Sequence, residues 1–192
     1  MRIMTTELRS IEGNLEVKDD DQMIVEGYAL RFNTWSEDLG KFIETISPNA
    51  LKKTKLDDVR LLFNHDWNHV LGRQSADTLD LEVDEVGLRF KARLPNTSYA
   101  KDIYEQIRAG NINQCSFHFN ADKKSIDMKY DNERGLYKRT INSINQIKEI
   151  SIVSLPAYKE TDVSVALRSI TEIEENDKKL KLLKIENELF NL

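Results

Sequence analysis

Within short segments of this chain, apolar and polar side chains alternate with a period of two residues, and this pattern limits the possible folds more than any other. Leu79, Leu81 and Val83 alternate with other residues, and the same period returns from Leu88 to Leu94. A β-strand turns every second side chain to the same face, and the residues 84–87 between the two segments favour a turn. This stretch therefore predicts a β-hairpin with one apolar face.

Short β-prone segments of the same kind make up most of the chain. The segment at 23–30 is interrupted by Gly27. Residues 121–135 are polar and predict a long loop or a ragged hairpin tip. At least seven strands with two or three short helices favour a barrel or a sandwich with helical insertions. The other predicted strands lie at 23–30, 42–46, 59–64, 114–120, 135–141 and 144–155.

Two short helices are predicted among these strands. Ser47-Pro48 has the form of an N-cap followed by proline at the first helical position, and this helix is expected to run through Leu51. Residues 98–108 place apolar side chains at helical spacing, and Gly110 follows where a helix commonly ends.

Charge and cysteine content disfavour several classes of protein. The chain has 28 Lys and Arg against 33 Asp and Glu, a net charge of −5, which disfavours a protein that works mainly by neutralising nucleic-acid phosphates. The single cysteine, Cys115, forms no internal disulfide or cysteine-based zinc site and indicates an intracellular protein. No apolar run approaches the roughly 20 residues of a membrane span, and MRIMTTELRS lacks the apolar region of a signal peptide.

The C-terminal residues differ from the rest of the chain. From Ser169 onward the acidic residues come before the lysines, the order that a helix dipole favours. We predict a main domain over 1–168 and a charged amphipathic helical tail over 169–192. Two interpretations stay open: a surface helix packed on the domain, or a detachable segment that binds a partner helix. The apolar stripe of this helix consists of Leu182, Ile185, Leu189 and Leu192.

Three residues could carry catalytic chemistry. His65 ends an apolar strand, and histidine is the commonest general base because its pKa lies near neutral pH. Ser116 lies within a strand whose neighbouring side chains can anchor the backbone of a nucleophile. Glu149 lies in an otherwise apolar strand, where a carboxylate needs a partner and could orient an imidazole. Each residue, taken alone, also fits a purely structural role.

Other candidate sites are weaker. His65 and His69 have an H-x-x-x-H spacing that on a helix could bind one metal, and the stretch faintly resembles a His-Asn-His nuclease. The preceding strand makes a helix doubtful, no third ligand is evident, and the acidic charge disfavours a nuclease. Cys115 alternates with Ser116 and shares its face with Phe117 and Phe119, which favours a structural position in the core.

Three stretches, taken in order, resemble a known family. LLFNHDWNHVLGR (61–73), GNINQCSFHF (110–119) and KEISIVSLPAY (148–158) resemble signatures of the tailed-phage prohead proteases, capsid-maturation serine peptidases related to herpesvirus assemblins. EGYALRFNTWS (26–36) and FIETISPNAL (42–51) are similar to the opening of that family. The resemblance spans roughly residues 7–167, and the order and spacing of the motifs make it specific.

The resemblance implies a catalytic triad and a fold. His65 matches the catalytic histidine and Ser116 the nucleophile, while Glu149 matches the position of the third, acidic member. His118 stands where the family usually has glycine; because it is predicted on the face of Ser116, it is a second candidate for the third position, since assemblins use a second histidine. The implied fold is mainly β with α, a closed antiparallel β-barrel of about seven strands surrounded by short helices.

The resemblance also implies a function. It predicts a serine endopeptidase that cleaves the scaffolding segment of the major capsid protein and its own chain, inside the viral procapsid in the host cytoplasm. A homo-oligomer is expected, with no membrane and no specific nucleic acid as partner, and no cofactor or metal is needed. Arg73 could assist at the oxyanion, although a surface ion pair is the favoured interpretation.

Two other functions are weighed against this one. The chain could be a non-catalytic capsid scaffold or assembly protein that binds shell subunits and cuts nothing. A hydrolase of small esters is disfavoured because the G-x-S-x-G elbow and the α/β pattern are missing.

Overall fold

The computed structural model describes residues 4–19, 22–155 and 160–190. Within them the chain forms twelve strands, two α-helices and two short 3₁₀ turns. The elements are β1 (Met4–Glu12), β2 (Glu16–Asp19), β3 (Ile24–Arg31), β4 (Phe42–Ile46), β5 (Arg60–Phe63), β6 (Asp66–Arg73), β7 (Leu79–Val83), β8 (Gly87–Arg93), α1 (Ser98–Arg108), β9 (Gln114–Asp122), β10 (Ile126–Asp131), β11 (Leu136–Ile141), β12 (Gln146–Val153) and α2 (Glu160–Phe190).

The described strands form three open sheets, so the predicted closed antiparallel barrel is wrong, although the mainly β class with two α-helices is confirmed. The sheets have the orders β1-β9-β12-β5-β6, β10-β11-β4 and β2-β3-β8-β7. The physical reason lies in two parallel pairs, β11 with β4 and β12 with β5. Along the chain β4 is followed by β5, and β11 is followed by β12. A bridge between Lys55 and Gln146 keeps these two stretches of chain next to each other between the first pair and the second. The two paired stretches therefore continue from the three-stranded sheet into the five-stranded sheet. The five-stranded sheet does not close, and β1 and β6 are its edge strands.

One hydrophobic core lies between these sheets and α1. The core includes Phe90, Phe117 and Phe119, all of which are almost completely buried. The predicted helix α1 is confirmed: its apolar face is buried, and Gly110 follows it with a φ of 77°, a left-handed conformation that glycine adopts easily. The hairpin predicted from the alternation is confirmed as β7 and β8.

Gly27 does not interrupt β3. A Cβ atom there would come within 2.9 Å of the Gly13 carbonyl oxygen and of Leu15 Cδ2, so glycine allows the preceding segment to lie close to an unbroken strand.

The helix predicted from Ser47-Pro48 is wrong. The segment makes successive turns, in which the amides of Ala50 and Thr54 donate to carbonyls three residues earlier. The Ala50 carbonyl accepts from the Ile144 amide at 2.9 Å, a long-range partner in place of the next helical turn.

The polar stretch 121–135 is a hairpin with a short tip. β9 extends to Asp122, and β10 pairs with β11 in antiparallel register. Gly135, with a φ of 68°, closes the turn between them. Of the two predicted alternatives, the hairpin is therefore the one observed.

A cluster of four buried charged residues joins the five-stranded sheet to the three-stranded sheet. Arg9 Nε lies 2.6 Å from Glu44 Oε1, and Arg9 also contacts Glu7 at 2.5 Å. Arg139 contacts Glu7 at 2.6 Å and also pairs with Glu44. No member is more than 8% exposed, and burial lowers the pKa of Arg139 while Glu7 opposes that shift. Nothing in the sequence patterns above predicted this ion cluster, which we call the inter-sheet cluster.

The chain divides into two compact units, residues 1–158 and residues 159–192. In the second unit α2 begins at Glu160, and among the apolar residues of its predicted stripe Leu182 and Ile185 are exposed. Leu180 and Leu183 are exposed as well. The side chain of Leu189 and all of Leu192 lie outside the described residues, as does the end of the motif at 156–158. Within the described ranges, no helix combines the length and apolar character that a membrane crossing requires.

Candidate active site

His65 lies in the two-residue turn between β5 and β6. Asn64 and His65 have φ values of 49° and 60°, and Phe63 pairs with Asp66 on either side of them. Two successive left-handed residues are typical of a type I′ turn, and asparagine and histidine tolerate this conformation better than most residues. The turn fixes the backbone from which the imidazole projects.

Asn64 attaches this turn to the end of β12. Its backbone amide donates to the Ile152 carbonyl at 3.0 Å. Its side-chain oxygen accepts from the Ser154 amide at 2.9 Å, and its side-chain nitrogen donates to Ser154 Oγ at 3.1 Å. The turn that holds the histidine is thus fastened to the strand that holds Glu149.

The imidazole of His65 is held by a buried carboxylate. His65 Nδ1 lies 2.7 Å from Glu149 Oε1, and Glu149 is 1% exposed. Ser151 Oγ donates to the other carboxylate oxygen at 2.7 Å and accepts from the His65 amide at 3.2 Å. A carboxylate at Nδ1 favours the tautomer with the proton on that nitrogen, which leaves the lone pair on Nε2.

Ser116 is placed on the same face by strand register. In the antiparallel pair of β9 and β12, Ser116 lies opposite Ser151, and His118 lies opposite Glu149. Directly opposed residues turn their side chains to the same face, so all four share it. Cys115 points to the other face, where it is buried in the core, and burial raises the pKa of its thiol. The structural interpretation of Cys115 is confirmed.

A β-bulge brings Glu149 to this face. Ile147 pairs with Phe119, but the register shifts by one residue so that Glu149 pairs with His118. Without the shift, Lys148 would oppose His118, and Glu149 would point into the core. The extra residue at Lys148 therefore places Glu149, rather than Lys148, on the same face of the sheet as Ser116.

Two polar atoms at this site are buried without a hydrogen-bond partner. They are Ser116 Oγ and His65 Nε2. Ser116 is 0% exposed, and the side chain of His65 is 20% exposed. Buried polar groups are nearly always paired, so two unpaired atoms at one site call for an explanation such as a catalytic role. The site therefore contains a hydroxyl, Ser116 Oγ, and a basic nitrogen, His65 Nε2, that make no hydrogen bond within the protein.

The neighbouring candidates have other partners. His69 Nδ1 lies 2.7 Å from Asp66 Oδ2, and the ring makes an edge contact with Tyr99, so His69 does not join the pair of His65 and Glu149. In the described ranges, no three His, Cys, Asp or Glu side chains are grouped so as to hold a metal ion.

Arg73 forms a bidentate ion pair with Asp58. The two nitrogen–oxygen distances are 2.7 and 2.6 Å, and the hydrogen bonds from Arg73 lower the pKa of Asp58. The prediction of a surface ion pair at Arg73 is confirmed.

Two residues of this site were not singled out from the sequence. Asn64 precedes His65 directly, and an asparagine before a residue at a strand end is a signal for a type I′ turn. Ser151 follows Glu149 by two residues, which places both side chains on one face of a strand. Both signals were present, but neither is specific without the fold.

Comparisons with known proteins show the family of the chain and a similar fold. Residues 9–176 match the family described as caudovirus prohead serine protease. Among solved structures, the capsid assembly protease gp21 of bacteriophage T4 is similar with a TM-score of 0.50 and 11% sequence identity, over 78% of this chain and 98% of that one. At such low identity the likeness concerns the fold alone. No curated protein matches the chain in sequence.

Proposed function

The chain belongs to the caudovirus prohead serine protease family, and we propose that it is a serine endopeptidase with His65, Ser116 and Glu149 as its catalytic triad. The observation that carries the proposal is the hydrogen bonding of the His65 imidazole. Its Nδ1 is 2.7 Å from the Glu149 carboxylate, while Nε2 and Ser116 Oγ are both buried and unpartnered. Those two atoms are the ones between which a serine protease transfers a proton.

The first half of the reaction forms an acyl-enzyme. Ser116 Oγ attacks the carbonyl carbon of the peptide bond as His65 Nε2 takes the hydroxyl proton. The imidazolium is stabilised by Glu149, and it returns the proton to the amine nitrogen as the C–N bond breaks. In the second half, a water molecule gives a proton to Nε2 and attacks the ester carbonyl, after which Ser116 Oγ regains a proton and the new carboxyl end leaves.

Ser116 must become accessible before the reaction. Its side chain is 0% exposed in this structure, so neighbouring atoms move before a peptide carbonyl reaches Oγ.

The proposed substrates are the scaffolding segment of the major capsid protein and the chain itself. The fold relative from bacteriophage T4 is named a capsid assembly protease, which supports a capsid substrate. We place the reaction inside the procapsid in the host cytoplasm and expect a homo-oligomer. Residues 169–192 would serve as a charged helical tail that attaches the enzyme to the shell or scaffold.

The test is self-cleavage of the full chain and cleavage of a co-expressed capsid protein, followed by mass spectrometry. Wild type is expected to cut both, and Ser116→Ala should cut neither while it folds with an unchanged or raised melting temperature, because an unpaired buried hydroxyl is removed. The matched variant Cys115→Ala should keep most activity and lose stability, since Cys115 packs in the core.

Two outcomes contradict the proposal. If Ser116→Ala cuts and a folded Cys115→Ala does not, the nucleophile is misassigned. If folded wild type co-assembles with capsid protein and cuts nothing, the chain is a non-catalytic assembly protein.

A further inference from the structure

β10 is the outer strand of the three-stranded sheet, and in the described part of the chain no strand pairs with its other side. Asp127, Lys129 and Tyr130 of this strand are exposed, and Tyr130 is 54% exposed. The free N–H and C=O groups of an edge strand can pair with a strand of another molecule. The free edge of β10 is therefore a candidate surface for association.

The hydrogen bonds of β11 show which backbone groups of β10 point outward. The Tyr137 amide donates to the Lys41 carbonyl at 2.8 Å, on the β4 side of β11. The Asn142 amide donates to the Ser125 carbonyl at 2.8 Å, on the β10 side. Because these directions alternate along antiparallel strands, every second residue of β10 turns its backbone groups away from β11. The outward residues are Ile126, Met128 and Tyr130.

The exposed charges of β10 are incompletely paired within one molecule. Asp127 and Lys129 leave the same face of the strand. Lys129 lies directly opposite Lys138 of β11, and Lys138 is paired with Asp131 at 2.7 Å. Like charges in directly opposed positions disfavour a strand pair, and Lys129 has no ion-pair partner among the described residues. An acidic group on the free side of Lys129 would therefore be favourable.

A two-fold axis through Met128 would bring that acidic group from a second copy of the chain. In this antiparallel register, Asp127 of each copy lies opposite Lys129 of the other, so two pairs of opposite charge form at once. An axis through Asp127 or Lys129 would instead place that residue opposite its own copy, which is a like-charge pair. The charges of β10 thus favour self-association in one register.

The outward backbone groups fit the same register. The two Met128 residues would exchange two N–H···O bonds, and the Ile126 carbonyl of each copy would accept from the Tyr130 amide of the other. Ile126 contributes only its carbonyl, because its amide already donates to the Lys123 carbonyl. An axis at Tyr130 would leave most of β10 without a partner, since the strand ends at Asp131.

The apolar side chains of β10 would be covered as well. Ile126, Met128 and Tyr130 alternate with the charged residues, and the Tyr130 ring makes an edge contact with Tyr137, with the ring centroids 5.0 Å apart. With the axis at Met128, the two Met128 side chains become neighbours, and each exposed Tyr130 lies opposite Ile126 of the other copy. Charged pairs then form on one face of the strand and apolar pairs on the other.

We propose that two copies of this chain associate through β10, antiparallel and with the two-fold axis at Met128. The two three-stranded sheets become one continuous sheet of six strands across the dimer. The proposal names the surface through which the expected homo-oligomer forms, and it does not depend on the catalytic activity.

The first test is disulfide cross-linking of single-cysteine positions on β10. Every variant is made in the full chain with Ser116→Ala, so that self-cleavage cannot change its length, and the native Cys115 is buried and does not react. In the proposed register, residue 127 of one copy and residue 129 of the other form a pair with Cα atoms about 4.5 Å apart, within disulfide range. A mixture of Asp127→Cys and Lys129→Cys should therefore give at least about fivefold more cross-linked dimer than either variant alone.

The same experiment identifies a wrong register. In the mixed dimer the second pair, Lys129 with Asp127, is still intact, so the mixture loses only one of the two charged pairs. Strong cross-linking of Lys129→Cys alone would place the axis at Lys129, and strong cross-linking of Asp127→Cys alone would place it at Asp127. Either result overturns the proposed pairing.

The second test is a charge exchange, with the dimer Kd measured by sedimentation equilibrium. Lys129→Asp places two acidic groups together in both pairs and should raise Kd at least about tenfold. The fold should persist, because the new carboxylate lies opposite Lys138. Asp127→Lys combined with Lys129→Asp exchanges the two charges and should restore the wild-type Kd. The control Lys52→Asp makes the same charge change at an exposed site outside β10 and should leave Kd unchanged.

Three results would overturn the association through β10. The first is a monomer at about 100 μM, where even a pair with micromolar Kd would form, since the charges would then only protect the edge strand. The second is a dimer that Lys129→Asp does not weaken, and the third is an exchanged variant that stays as weak as Lys129→Asp. A monomeric wild type that cleaves peptides would leave the protease function intact, and a β10 dimer that cuts nothing would leave only the association.

Discussion

The two faces of the five-stranded sheet both bury charged groups, and they treat them in opposite ways. On the core face, the Arg9 and Glu7 side chains enter the inter-sheet cluster, in which every member has at least two partners within the cluster. On the other face, Glu149 is equally buried and paired, but Ser116 Oγ and His65 Nε2 are not. The charged groups of the inter-sheet cluster are all paired, whereas the two atoms that the proposed reaction uses have no hydrogen-bond partner.

Polar groups buried in one sheet can thus contribute either to stability or to chemistry. Removing one partner from a fully paired buried ion cluster leaves an uncompensated charge, which costs about 3–5 kcal/mol. Removing a hydroxyl that has no partner can stabilise the fold, since an unsatisfied buried group costs about 1–3 kcal/mol. Mutations on the two faces should therefore separate loss of stability from loss of activity.

Substitution of His65 should reduce activity more than any other change considered below. His65→Ala should lower turnover by about 10⁴ to 10⁶, because triad members act as a unit. The control His69→Ala should stay within about tenfold, roughly 1.4 kcal/mol in the barrier, since His69 pairs with Asp66 instead. Turnover is measured on a capsid-derived peptide. Equal activities in the two variants would show that His65 is not the general base.

The next effect is on stability at the inter-sheet cluster. Arg139→Met removes the partner of Glu7 and Glu44 and should lower the free energy of unfolding by about 3–5 kcal/mol. The control Lys138→Met removes a partly exposed pair with Asp131 and should cost less than about 1 kcal/mol. Urea denaturation gives both values. A cost at Arg139 no larger than at Lys138 would contradict a stabilising role for the cluster.

A smaller effect is expected at Ser151, which positions the triad without touching substrate. Ser151→Ala removes the donor to Glu149 and the acceptor for the His65 amide, and should lower kcat about tenfold to a hundredfold with KM unchanged. Ser151→Thr keeps the hydroxyl and should restore part of kcat. If kcat of a folded Ser151→Ala equals that of wild type, the hydrogen bonds of Ser151 do not position the catalytic groups.

The local patterns of the sequence were sufficient for many elements of the fold. Alternation predicted β7 and β8, and helical spacing predicted α1 with its buried face. These elements are decided by which side chains of one segment are apolar, a property that can be read along the chain. The three-sheet arrangement could not be read in this way, because the parallel pairs join segments about 90 residues apart.

The candidate site was found through motif resemblance, and its geometry depends on irregular features. Glu149 reaches the face of Ser116 only because of the bulge at Lys148, and a pattern of period two predicts no extra residue. The inter-sheet cluster was missed for the reverse reason: glutamate and arginine in strands normally indicate a solvent face, and only the fold brings four of them together.

The smallest effect is expected at Arg73, where an ion pair like those of the cluster lies at the surface. The hydrogen bonds from Arg73 lower the pKa of Asp58, so this carboxylate stabilises the fold above the unfolded pKa of about 4, and the contribution is lost as the pH falls toward the lower folded pKa. Arg73→Ala should therefore lower the melting temperature slightly at pH 7, and the difference from wild type should shrink below about pH 4 and in high salt. Peptidase turnover should be unchanged, because the guanidinium is engaged by Asp58. A large loss of kcat in folded Arg73→Ala would instead indicate that Arg73 helps to stabilise the oxyanion. Its ion pair with Asp58 would then serve catalysis as well as stability, unlike the ion pairs of the inter-sheet cluster.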